Sequence, residues 1–530
     1  MTLDAEEVSD NRSEVEAPRE PRKPAAADDA KDVDGKHVET TSGLSWGCGK
    51  WLLALAGVFM ACATTIVDLA MQGLVSRRDG AVMLAALSAT RASMGWATGM
   101  FGFVFTGAVS IIGTAAGEGD DLRAGRYARL SMAIAIVAGL LGTAVLVTCT
   151  EHVLCLFGQE EVAKLASGVF RLKAAAFTIA VLGMALNGIM LGFMYVHLAF
   201  LFITIGSVVS LGLFYPLYLM TDLGLKAFAI SMTVGAVTSV ALTLTFLFQG
   251  HRRRRFGLDL GFSDIGLAEL RGLGSSLGCL AFRSFVSDTP YMLSVLLSIR
   301  LSPVHGAVFQ LLISKSNIAD LTTGGFALGI NFIGSRLWGG RYHGAFWNLL
   351  IVFIGWIATP LAVILCTLEM FRGRDSLGET FAKVGEKAYF DAVMTRSAFA
   401  FYILFLAGRA YYKMVEQALI AMQEYWRLAV IQGVAFIAYL CVSISGYMMK
   451  DFDVLLLGSL VFIFCRISGG AWVLCRKLRT HPFERYRRGT TSDPDHALKL
   501  TIDDPAVAKV FGGRATPRLK EQEENELASV

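Results

Sequence analysis

Residues 407–425 read AGRAYYKMVEQALIAMQEY, with Arg409, Lys413, Glu416 and Gln417 at i, i+4, i+7 and i+8. On a helix those positions share one face. They sit inside an otherwise apolar run, where a charge costs about 3 kcal/mol or more unless it faces a bundle interior or a wet cavity. The stripe therefore predicts a helix that lines a cavity or joins a buried network between helices. Glu416 can reach Lys413 at i+3, which leaves Arg409 as the cation expected to hold a carboxylate or phosphate bidentately. The alternative is that Arg409 pairs with Asp288 or Asp320 across the bundle. Arg283 and Asp288 occur in CLAFRSFVSDTP (279–290), and Lys315, Asn317 and Asp320 in the apolar run 305–334. Together these helix interiors hold four positive and three negative groups, and the small cationic excess predicts anionic or zwitterionic substrates. Asn187, followed by Gly188 and Gly192, is a further candidate, for a contact between helices or with substrate.

A second pair lies near the start. Asp68 stands seven residues before the end of the apolar run 51–75, roughly 10 Å deep at 1.5 Å per residue. Arg91 lies eight residues into the next run, 83–114, roughly 12 Å from the same surface. Two consecutive helices form a hairpin, so the two charges can meet, as a structural ion pair or as an ion-coupling switch. Desolvation would raise the affinity of Asp68 for a proton, and Arg91 would lower it.

The elements that must position these groups follow from composition. Apolar residues make up 54% of the chain and charged ones 17%, with mean hydropathy +0.54, against about a quarter charged in soluble domains. A bilayer core of about 30 Å needs roughly 20 apolar residues per helix. Twelve stretches qualify: 51–75, 83–114, 128–150, 168–193, 196–220, 224–249, 270–299, 305–334, 345–371, 393–422, 426–449 and 452–476. The fold class is thus an all-α polytopic membrane protein with about twelve transmembrane helices in two similar six-helix halves. The lobes would be 46–250 and 270–478, joined by a basic linker at 251–269. Residues 1–45 hold almost no large apolar side chain, 479–530 are rich in charged and polar residues, and both read as disordered tails. Lys and Arg favour one side, seventeen in its connections and flanks against ten opposite, which places both termini and the linker in the cytosol. The membrane is the plasma membrane or that of an organelle.

The halves echo each other. The second stretch ends IIGTAAGEGDDLRAGRYARL (111–130) and the eighth INFIGSRLWGGRYHGAFWNL (330–349), each running through a glycine turn into Gly-Arg-Tyr. Internal repeats of this kind build many alternating-access carriers.

Several chemistries find no residues to carry them. Nine scattered cysteines form no C-x-x-C pair, and no Cys/His cluster suggests a metal. A net charge of +4 gives no broad basic field for nucleic acid. Walker A and His-x-x-x-His sequences are missing, so no enzyme and no cofactor is expected and any pumping must draw on an ion gradient.

In order and spacing the chain resembles the multidrug and toxic compound extrusion (MATE) transporters. The carrying residues are TTIVDLAMQGLVSRRDGAVMLAALS (64–88) with Asp68 and Gly73, the turn with Gly117 and Gly119, and LGLKAFAIS (223–231). The resemblance covers the whole twelve-helix region. It implies a secondary-active carrier of small organic molecules, exchanging substrate for protons or sodium. It also implies acids on the seventh and tenth helices. Here the seventh offers Asp288, or Arg283 or Ser287 in its place, and the tenth Arg409 or Ala410. Ser210 and Phe214 stand where first-lobe polar residues are implied, so Asp68 transfers cleanly and Ser231 second. A flippase for lipid-linked precursors, or a non-transporting receptor or scaffold derived from a carrier, would share the architecture.

Overall fold

The computed structural model describes residues 67, 71, 90, 93–155, 160–250, 256–258, 267–301, 303–381 and 393–480. Every regular element among them is a helix. In chain order these are α1 (Gly102–Gly117, continuing a helical stretch from 93), α2 (Asp121–Thr148), α3 (Thr150–Cys155), α4 (Glu160–Ala175), α5 (Phe177–Gly192), α6 (Val196–Met220) and α7 (Lys226–Leu247). They continue with α8 (Leu267–Leu301), α9 (Pro303–Gly339), α10 (His343–Leu350), a π-helical run Ile351–Ala358, α11 (Thr359–Phe381), α12 (Arg396–Ala421), α13 (Tyr425–Met449) and α14 (Phe452–Thr480). The helices overlie the second to twelfth predicted stretches; the first lies outside the described residues apart from Val67 and Met71. Seven are long and apolar enough to cross a membrane, or eight with the pair Lys164–Ala175 and Phe177–Gly192, bent by 49°, taken as one span. Helices α8, α9 and α12, which carry the interior charges, are not among the seven.

The helix through α1 is the central element. Two thirds of its apolar window is buried inside the protein, against one third for α6, α7 and α13. Its small residues permit this. Gly192 on α5 abuts Ile112, and a Cβ at Gly188 would stand 2.7 Å from the Phe105 carbonyl oxygen. The far end of α1 crosses the far end of α9 equally closely. A Cβ on Gly117 would collide with the Arg336 carbonyl, and one on Gly339 with the Thr114 carbonyl. Both contacts are related by the same shift of 222 positions (117 to 339, 114 to 336), and Gly113 meets Ser335 under that shift too. The two echoing sequence ends thus touch each other as a local pseudo-twofold pair.

Five hairpin turns share one backbone device. Gly119, Met194, Arg341, Gln423 and Lys450 all adopt positive φ, from 55° to 83°. In each case that residue's N–H bonds three residues back and the next N–H five back, for example Gln423 to Ile420 and Glu424 to Leu419. This is the Schellman closure, which satisfies carbonyls that the helix end would otherwise leave open. Only one of the five is glycine, although a left-handed conformation costs other residues about 1–2 kcal/mol. Gln423 and Arg341 are exposed, so Gln423→Gly and Arg341→Gly are each expected to stabilise the protein by about 0.5–1 kcal/mol. Thermal unfolding in detergent measures this; unchanged or lowered midpoints would contradict it.

Candidate functional site

The interior charges converge on one carboxylate. Glu416 of α12 is 3% exposed. Its Oε1 accepts from Arg283 Nε on α8 and, at 3.1 Å, from Gln432 Nε2 on α13; its Oε2 accepts from Arg466 Nη2 on α14 at 2.6 Å. One side chain thereby ties four helices. Arg466 Nη2 also donates to Ser287 Oγ at 3.1 Å. The Arg466 guanidinium lies over Tyr412 and Phe462, 4.4 and 4.9 Å from the ring centres, which suits a planar, weakly hydrated cation. Its Nε and Nη1 are buried without a hydrogen-bond partner among the described residues.

Asp288 lies one turn beyond Ser284 on α8, its carboxylate against the backbone of Gly99 in the helix leading into α1. Arg283, Arg466 and Lys413 all act on it electrostatically, and Glu416 opposes them. Farther along α12, Arg409 is 5% exposed. Its Nη1 donates to Ser316 Oγ on α9 at 2.7 Å, and its guanidinium covers Tyr291 and Phe405. Gln417 Oε1 accepts from Asn331 Nδ2 at 2.8 Å, and Asn331 Oδ1 accepts from Ser335.

Two expectations from sequence need correction. Glu416 turns across the bundle to Arg283 and Arg466 instead of serving only its helical neighbour Lys413, because two buried guanidiniums need its charge more than a half-buried lysine does. Arg409 is not a bare cation: a serine hydroxyl and two aromatic faces hold it. Of the two readings of the stripe, a cavity wall or a buried network, the hydrogen bonds of Glu416 and Gln417 run helix to helix. Asp68, Arg91 and the side chains of Lys315, Asn317 and Asp320 lie outside the described residues. Sequence reading passed over Arg466, Gln432 and Asn331. Arg466 carried a usable signal, fourteen residues into the last stretch and hence roughly 21 Å deep.

A separate cavity of about 210 Å³ opens between α5, α6 and α7. Asn187, Ser207, Ser210 and Ser239 are its polar lining, with Val67 on its wall. Ser210 Oγ donates to the Ser231 carbonyl at 3.0 Å. Asn187 is the one predicted site residue on this wall among the described residues.

Residues 57–215 match the MatE family model. A MATE crystal structure in the bent conformation superposes with a TM-score of 0.68 at 15% identity, over 82% of this chain and 96% of that one. The chain carries a MatE domain on a MATE fold. The resemblance drawn from the residues is borne out. A point mutant of the Vibrio cholerae MATE transporter VcmN gives TM-score 0.70 at 14% identity, over 82% of this chain and 97% of the other. A MOP superfamily transporter from Pyrococcus furiosus, described by a binding pocket of reverse polarity that suggests a different function, gives 0.69 at 15%, over 81% and 95%. No curated protein matches. On this MATE fold Asp68 and Asn187 fall within the residues that match the family model, while the network around Glu416 lies wholly outside them.

Proposed function

We propose that the protein is a MATE-type secondary-active transporter that moves small anionic or zwitterionic organic molecules by alternating access, with Asp68 as the ion-coupling group. The observation that carries the substrate class is the cationic surplus of the second-half helix interiors. Arg466 raises the interior positive groups of the second half to five, with Arg283, Lys315, Arg409 and Lys413, against Asp288, Asp320 and Glu416. A buried surplus of cations is costly until an anion joins it, and Nε and Nη1 of Arg466 meet no acceptor among the described residues. The reverse-polarity pocket of the Pyrococcus relative is in keeping with such a departure. The pseudo-twofold contact of α1 and α9 supports a duplicated carrier whose halves meet at that crossing. The coupling role of Asp68 rests on the family resemblance; in sequence Asp68 follows Val67, which lines the first-lobe cavity.

Uptake into proteoliposomes under an imposed proton or sodium gradient, with matched organic anions and cations, tests this reading. Wild type is expected to move the anions. Arg409→Gln should reduce that uptake by about tenfold or more, the loss of one charge-assisted hydrogen-bonding group. Asp68→Asn should keep protein level and lose gradient-driven uptake. Transport of cations unaffected by Arg409→Gln would overturn the substrate class, and normal gradient-driven uptake by Asp68→Asn would overturn the coupling role.

A further inference from the structure

An apolar groove of about 330 Å³ lies between α10 with its π-helical continuation and the end of α14, lined by Trp347, Leu350, Ile351, Ile354, Gly355, Leu474 and Leu478. Its size falls within the ~300–1,000 Å³ range of ligand pockets. The local sequence makes it. Pro360 has no N–H to give, and its ring crowds the carbonyl four residues back, so the preceding turns widen. Thr359 bonds five residues back to the Ile354 carbonyl through both its N–H and its Oγ1. A π-helix of this kind is rare and frequently marks a function. Within it Gly355 leaves open space where a side chain would stand.

The ends of the groove differ. Trp347 stands four residues after the start of α10, and Leu478 two residues before the end of α14. That end is therefore edged by the turn before α10, with exposed Arg341, and by the last turn of α14, with exposed Arg479. Both belong to the basic, cytosolic side in the topology read from the sequence. The Trp347 indole N–H is buried without a hydrogen-bond partner among the described residues, an uncommon state for a tryptophan at the level of lipid headgroups. A hydrocarbon slot with cations and an unsatisfied donor at one end matches one kind of ligand. We propose that the groove binds one acyl chain of an anionic phospholipid of the cytosolic leaflet, with Arg341, Arg479 and the Trp347 indole at its headgroup.

Native mass spectrometry of the detergent-purified full chain, titrated with phosphatidylglycerol or phosphatidylcholine, reads this directly. Phosphatidylglycerol should be retained in preference to phosphatidylcholine. Gly355→Phe, which fills the slot, should lower that retention at least about tenfold, the change expected when two or more buried methylenes are expelled. Arg341→Gln with Arg479→Gln should bring phosphatidylglycerol down to the level of phosphatidylcholine. Gly278→Phe on α8, where a side chain also meets open space, is the control and should change nothing. Equal retention of the two lipids, undiminished retention by Gly355→Phe, or complete displacement by glycerol 3-phosphate would each overturn the proposal, the last by showing a site for the free anion.

Discussion

Glu416→Gln is expected to destabilise the protein by about 3–5 kcal/mol, because it removes the one carboxylate that both buried guanidiniums bond. The amide can still accept a hydrogen bond, so the loss is one of charge, not of shape. Arg283 and Arg466 face Glu416 from α8 and α14, and Gln432 from α13, and Asp288 acts on the two arginines only through space. Thermal unfolding in detergent would show the drop. The mechanism has a sharper consequence. Replacing the triad as a whole, Glu416→Leu with Arg283→Leu and Arg466→Met, should recover most of the stability, since apolar groups of similar volume match or exceed a buried ion pair. That variant should nonetheless fail to take up organic anions. A triple variant as unstable as Glu416→Gln would mean that packing, not charge, holds this region. A stable triple variant with normal anion uptake would remove the network from the transport reading.

The second large effect is steric. Gly339→Val is expected to cost about 3 kcal/mol, at the upper end of overpacking penalties. The added Cβ would meet the backbone carbonyl of Thr114, and a carbonyl within a helix cannot swing aside as a long side chain can. Gly117→Val should do the same through the Arg336 carbonyl. Gly95→Val, on the same central helix but facing open space, is the control and should change stability by less than about 0.5 kcal/mol, as surface substitutions do. If all three variants melt alike, the close crossing of α1 and α9 contributes nothing to stability. In the alternating-access reading this crossing must part when the cytosolic end opens. Under that reading the valine variants that survive purification should label faster than wild type at a cysteine engineered at Ser110, which now bonds the Ile420 carbonyl and the Tyr425 hydroxyl.

Sequence alone went far here because the bilayer is a severe solvent. Backbone polar groups in hydrocarbon must bond within their own helix, so apolar length alone located stretches two to twelve of the predicted set, and each holds a helix among the described residues. The glycine-marked ends at 117 and 339 were legible for a similar reason: close backbone approach tolerates few other residues. So was the stripe of α12, since helical spacing fixes that Arg409, Glu416 and Gln417 share a face. The partners of that stripe were another matter. Glu416 has an oppositely charged neighbour at i−3, and nothing in a linear pattern shows that Arg283, 133 residues earlier, and Arg466, 50 residues later, lie nearer in charge and geometry. Which groups meet across a bundle depends on the rotation of each helix about its axis and on its depth in the membrane. Those are set by packing over whole helix faces, which sums many weak contacts that no short motif records. The same holds for the groove beside Gly355: Pro360 announces a disturbed helix, but only the approach of α14 turns the widened turns into a slot with basic residues at one end.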